Sequence, residues 1–133
     1  MRRVAVGVLV LLLALTGCSQ VLGIADWDKI VVNYTDEAGG DYALVVTPAE
    51  AISTIDGEET SHKLPDGFWN TLVTGVRALG EREAVTCAEG QAIKIQATSG
   101  GAVKQTYAAN SCDAGDALKS AQKLVEQLLT LIK

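Results

Sequence analysis

Three stretches of two-residue alternation, each folded back by a short turn, constrain this chain more than any other feature. Ile30, Val32 and Tyr34 alternate with Val31, Asn33 and Thr35; after Asp36-Glu37-Ala38-Gly39-Gly40 the pattern resumes in Tyr42, Leu44 and Val46. Alternation places one set of side chains on a buried face, so this reads as a β-hairpin. Pro48 ends it, and a second pair follows in Ala51 to Ile55 and Thr60 to Leu64, joined at Asp56-Gly57. A third uses Ile93, Ile95 and Ala97, the turn Ser99-Gly100-Gly101, and Val103, Gln105 and Tyr107.

Two segments break the alternation. Phe68, Leu72, Val76 and Leu79 recur at helical spacing, predicting a helix of about 14 residues with Asp66 as its cap and Gly80 as its stop. From Asp113 a wide apolar stripe runs through Ala114, Ala117, Leu118, Ala121, Leu124, Val125, Leu128 and Ile132, with Asp113 and Asp116 expected in the first turn and Lys133 at the end. Three hairpins and two amphipathic helices predict an α+β fold: a two-layer sandwich, an antiparallel sheet of about six strands with two helices on one face. With 48% hydrophobic residues and two Pro, the chain is not of the disordered class.

The N-terminus follows different rules. Arg2 and Arg3 precede Val4 to Leu15, twelve residues without a polar side chain, and then Thr16, Gly17 and Cys18. This is the layout of a secretory signal peptide. Twelve helical residues extend roughly 18 Å, short of a ~30 Å hydrocarbon core. Leu15-Thr16-Gly17-Cys18 resembles the lipobox of bacterial membrane lipoproteins, a resemblance confined to this segment. It implies that a diacylglycerol is attached to the Cys18 sulfur, that a dedicated signal peptidase cuts between Gly17 and Cys18, and that the new amine is then open to acylation. It also implies outer-membrane delivery, facing the periplasm, where the cell has two membranes, because the residue after the cysteine is Ser19 rather than an inner-membrane-retaining Asp. An uncleaved anchor over Val4 to Ala25 and an ordinary signal peptide with a coincidental Cys18 are the alternatives. The expected organisation is a signal peptide over 1–17, a short tether over 18–28 carrying Leu22, Ile24 and Trp27, and a single domain over 29–133.

Cleavage would remove Arg2 and Arg3 but no acid, leaving nine Lys and Arg against sixteen Asp and Glu, a charge of −7. So acidic a body argues against nucleic acid as partner and against lying flat on anionic lipid. Acyl chains would then supply the membrane affinity, at ~0.8 kcal/mol per buried CH₂. On this reading the lipid on Cys18 is the only attached group, and no cofactor is expected. It also leaves Cys87 and Cys112 as an even pair in a disulfide-permitting compartment, so the two are expected to be bonded, two buried free thiols being the alternative. A loop over Ser99 to Gly101 sets Ile93 opposite Tyr107 and Ala97 opposite Val103. Cys87 and Cys112 miss that register by one residue, which calls for a bulge or a loss of pairing near Gly90 or Asn110.

Catalytic patterns are scarce. His62 is the single histidine, close in sequence to Glu58 and Glu59, and imidazole with two carboxylates is a divalent-metal donor set. A metal-dependent or hydrolytic envelope enzyme around His62 is therefore the alternative function. Ser61 is excluded as its nucleophile, since adjacent strand residues face opposite ways. Asp36, Glu37 and Asp41 lack the ordered series of a dedicated calcium loop. Phe68 and Trp69 sit about 100° apart on their helix, one expected in the core and one at its edge. By elimination, the expected function is a non-enzymatic envelope module that binds or inhibits a protein or cell-wall component.

Overall fold

The computed structural model describes residues 27–131. The expectations for the signal peptide, the lipobox, Leu22, Ile24, Ile132 and Lys133 lie outside them. Six strands form one antiparallel sheet: β1 (Lys29–Thr35), β2 (Asp41–Val46), β3 (Glu50–Ile55), β4 (Glu58–Lys63), β5 (Ala92–Ser99) and β6 (Ala102–Asn110). Helix α1 (Phe68–Leu79) lies between β4 and β5, and α2 (Ala117–Leu131) follows β6. The spatial order is β4-β3-β2-β1-β5-β6. A four-strand meander thus accepts the third hairpin on the far side of β1, which becomes a central strand paired with β2 and β5.

The inward set of every strand except the edge strand β4 supplies the core: Ile30 and Val32 of β1, Leu44 and Val46 of β2, Ala51 of β3, Ile93, Ile95 and Ala97 of β5, and Tyr107 and Ala109 of β6. Leu72 and Val76 of α1 and Ala121, Leu124, Val125 and Leu128 of α2 close over it. At Gly75 an added Cβ would lie 3.1 Å from a Leu124 methyl, so the missing side chain is what lets the helices approach this closely. This is the expected two-layer α+β sandwich.

The hairpin turns follow from backbone chemistry. Asp56 and Gly57 both have positive φ, 53° and 78°, as a tight two-residue turn between twisted strands requires. Gly100 and Gly101 do the same at 58° and 81°. The third turn is therefore one residue shorter than the Ser99 to Gly101 loop expected from sequence, and Ser99 already pairs with Ala102. The register changes accordingly: Ile93 faces Ala109, Ile95 faces Tyr107 and Ala97 faces Gln105. The bulge lies between Ala97 and Thr98, while beside Gly90 and Asn110 the other expected solution is found, an end to the pairing after Ala92 and Asn110. It turns Val103 out of the expected apolar face, leaving it opposite Thr98 and 52% exposed.

Both helices begin later than their sequence signals. Asp66 does not cap α1; Gly67, in a left-handed conformation, precedes the first turn with no side-chain cap. The Gly67 carbonyl instead accepts from the Thr71 N–H and hydroxyl. Gly80 ends this helix as expected, its N–H donating to the Arg77 carbonyl. In α2, Asp113 is not in the first turn, because a turn at Gly115 and Asp116 separates it from Ala117 and its side chain is used elsewhere. Phe68 and Trp69 are both half-buried against the core, and so is Trp27. Asp28 enters the sheet edgewise, donating its N–H to Thr98 and accepting from Gly100.

Candidate functional site

The crosslink and the region around it form the most elaborate polar construction in the fold. Cys87 and Cys112 are joined by a disulfide, with Cα atoms 5.8 Å apart. The bond lies just past the last ladder pair, Ala92 with Asn110. Against the observed register the two cysteines are three residues out rather than one, but beyond that pair strict alternation no longer applies, and the mismatch is absorbed by the loss of pairing beside Asn110. The strap that brings Cys87 there starts beside β6: Arg82 donates its N–H to Thr106 and accepts from the Ala108 N–H, a single parallel bridge along the sheet edge. The bridge occupies the Thr106 carbonyl and the Ala108 N–H on the open edge of β6.

Asp113 locks the strap. Its side chain is 1% exposed and takes the Arg82 guanidinium at 2.8 Å, the Asn110 N–H at 2.8 Å and the Val85 N–H at 3.4 Å. Asn110 answers with its amide, donating to the Val85 carbonyl and accepting from the Cys112 N–H. The Arg82 guanidinium first, and the two backbone N–H groups after it, hold the Asp113 carboxyl below the usual carboxylate range against the opposing effect of enclosure. Gln105, placed inward beside the bulge, donates to the Val76 and Gly80 carbonyls and so satisfies the open end of α1.

A second polar chain closes the turn end of the sheet. Gln122 donates to Gln91 at 2.6 Å, and Gln91 donates to the Tyr34 hydroxyl at 3.4 Å. Tyr34 stacks on Tyr42 with centroids 5.6 Å apart, and the Tyr42 hydroxyl donates to Asp36 at 3.0 Å. Asp36 also accepts the Gly40 N–H at 2.7 Å. That bond, with the Tyr42 hydroxyl second, depresses the Asp36 pKa. Asp36 is therefore an organiser of its own turn. Asp41 is held by the Thr35 hydroxyl. The hollow beside these residues, about 640 Å³, is open and shallow, with Asn33, Thr54 and Asp56 along it.

Both carboxylates titrate lower in the folded chain than unfolded, so each stabilises the fold above the ordinary carboxylate value and loses that contribution as pH falls through its folded value. Stability is thus expected to stay level from neutral pH down to about 4 and to fall below it. Thermal melts between pH 7 and pH 2 measure this. Asp113→Asn should lower the melting temperature at neutral pH and flatten the acid limb; an acid limb as steep as the parent's would remove Asp113 from the account.

His62 occupies the inner side of the edge strand β4, opposite Ala51. Its Nε2 lies 3.4 Å from the hydroxyl of Ser53, a residue that sequence reasoning missed because the pair forms only through the diagonal of the β3–β4 ladder. Ser53 is 3% exposed, so a substrate carbonyl has no approach to it. Ser61 points the other way and donates to Glu50 at 2.6 Å. Glu58 and Glu59 stand on opposite faces of β4, and among the described residues no three His, Cys, Asp or Glu gather as a metal group.

Among the described residues no helix covers the opposite face of the sheet. Its central positions are Val31, Val45 and Ile52, half-buried and directly paired across β1, β2 and β3. Among the described residues no helix is long and apolar enough to cross a membrane. Comparison with protein families, with characterised proteins and with solved structures finds no match to this chain.

Proposed function

We propose that this chain is an exported, lipid-anchored module of the cell envelope that acts by binding rather than by catalysis. The observation that carries this reading is the division of its three cysteines: Cys87 and Cys112 are consumed by a crosslink, while Cys18 stands alone at the end of Leu15-Thr16-Gly17-Cys18. A structural disulfide belongs to an oxidising compartment, where lipobox proteins are delivered. The acyl chains on Cys18 attach the module to the membrane, and outer-membrane residence facing the periplasm follows from Ser19 where two membranes exist. The best-organised polar groups, Asp113, Arg82, Asp36 and Gln105, are spent on holding loops and helix ends. An envelope protein or a cell-wall component is the partner class, met through the uncovered sheet face.

Cys18→Ala tests the anchor. Metabolic labelling with palmitate should be lost, and the precursor should accumulate uncut before position 18. Labelling and membrane attachment that survive the substitution would overturn the lipobox reading.

A further inference from the structure

We infer that the uncovered sheet face is a self-association surface on which two copies of this chain pack face to face. The ladder pairings define three rows at and beside the apolar centre, and a fourth, Asp41, Thr35, Ala92, Asn110, at the turn end. The middle row runs Ser61, Ile52, Val45, Val31, Gln96, Thr106, from β4 to β6. Its apolar centre is flanked by short or uncharged side chains, which suit the close approach of a second sheet at about 10 Å. Strand propensity alone would account for Val31, Val45 and Ile52.

Propensity does not account for the charges on the two outer rows. One row runs Glu59, Thr54, Ala43, Asn33, Lys94, Ala108. In the other, Glu50 of β3 lies on the β4 side, with Lys63 beside it, and Lys29 of β1 lies on the β5 side. Acids Glu59, Glu50 and Asp41 lie on the β4–β3–β2 half of this face and bases Lys29 and Lys94 on the β1–β5 half, the exceptions being at the two edges, Lys63 on β4 and Glu81 and Glu83 beside β6, in a chain whose net charge is −5. A two-fold axis along the strands, between β1 and β2, lays the acidic half of one copy over the basic half of the other. It keeps each residue in its own row, bringing Glu59 within one strand of the partner copy's Lys94, and Glu50 within one strand of its Lys29. The self-complementary patch is what an isologous dimer requires. Six strands at ~4.8 Å spacing and ~20 Å length give about 500 Å² per copy, so about 1,000 Å² in all, the lower bound for a specific interface and the mark of a reversible dimer.

This deepens the binding reading by naming the partner as a second copy, and it is independent of the lipid, which is read by labelling. The test is sedimentation equilibrium of the full processed chain in density-matched detergent with micelles in excess, so that chance co-occupancy is negligible. A concentration-dependent mass of two chains is expected. Val45→Asp should weaken association by about 100-fold or more, since it buries a carboxylate at the centre of the interface. Glu59→Lys and Lys94→Glu, both at exposed positions, should each weaken it about fivefold, and the double exchange should restore it. Circular dichroism of every variant confirms that the fold is retained. A single-chain mass at all concentrations would overturn the proposal, and this includes the case in which residues 19–26 cover the face instead. So would a dimer indifferent to Val45→Asp, or a charge exchange without rescue.

Discussion

Leu128→Ala is expected to lower the stability of the folded chain by ~2–5 kcal/mol, a large share of the ~5–15 kcal/mol that holds a domain of this size. Leu128 is 0% exposed, on the face of α2 that packs against β5, β6 and α1. Deleting its isobutyl group removes transfer energy and leaves a cavity that close-packed neighbours fill only in part. Leu124 shares this face at 7% exposure and meets α1 at Gly75, so Leu124→Ala should fall in the same range. Lys123→Ala, on the exposed side, should change stability by no more than about 0.5 kcal/mol. Gln122→Ala should cost about 0.5–1.5 kcal/mol, because Gln122 is not on a solvated face: it bonds Gln91. Urea unfolding at neutral pH measures all four. Equal, small losses at Leu128 and Lys123 would mean that α2 is not docked on this sheet.

Removing the crosslink is expected to cost about 3.5 kcal/mol, the chain-entropy value for a closed loop of about 26 residues. The loop contains the whole of β5 and β6, so the bond restricts in the unfolded chain the segment that must find β1. Cys87→Ser with Cys112→Ser should therefore shift the urea midpoint down, and the denaturant slope should rise as the unfolded state expands. Asp113 is adjacent to Cys112 and locks the same strap. Loss of the disulfide and Asp113→Asn should consequently be non-additive in a double-mutant cycle. A change below about 1 kcal/mol on removing both cysteines would show that the Arg82–Asp113 clasp holds the strap without the covalent bond.

The polar constructions were the least legible part of the sequence. Asp113 followed by an apolar stripe reads as a helix start, and the competing use of its carboxylate depends on Arg82, thirty-one residues away. Gln105 falls in the inward set of its strand beside Val103 and Tyr107, but what it bonds there, the Val76 and Gly80 carbonyls, depends on where α1 ends over β6. Ser53 and His62 meet only once β3 and β4 are in register. In each case the partner is set by a third element, and local periodicity carries no information about it. The cysteine pair was legible because lipidation of Cys18 leaves two thiols flanking one hairpin.

By itself the sequence determined the local units. Alternation with short turns specified three hairpins, helical spacing specified two helices, and the apolar sets specified which side of each would be buried, because a period of 2 or 3.6 is a property of the backbone. Only the tertiary structure decided how the units join. The third hairpin pairs with β1 rather than with β4, although β4 precedes it and β1 lies some sixty residues earlier. Alternation says which face of a strand is covered but not which strand lies beside it. That choice fell to α1, which carries the chain from the β4 edge back across the covered face, and to the core that α1 and α2 complete over β1, β5 and β6. The same placement leaves Glu50 and Glu59 on one half of the opposite face and Lys29 and Lys94 on the other. Residues far apart in the chain acquire a common surface only when the strand order is set.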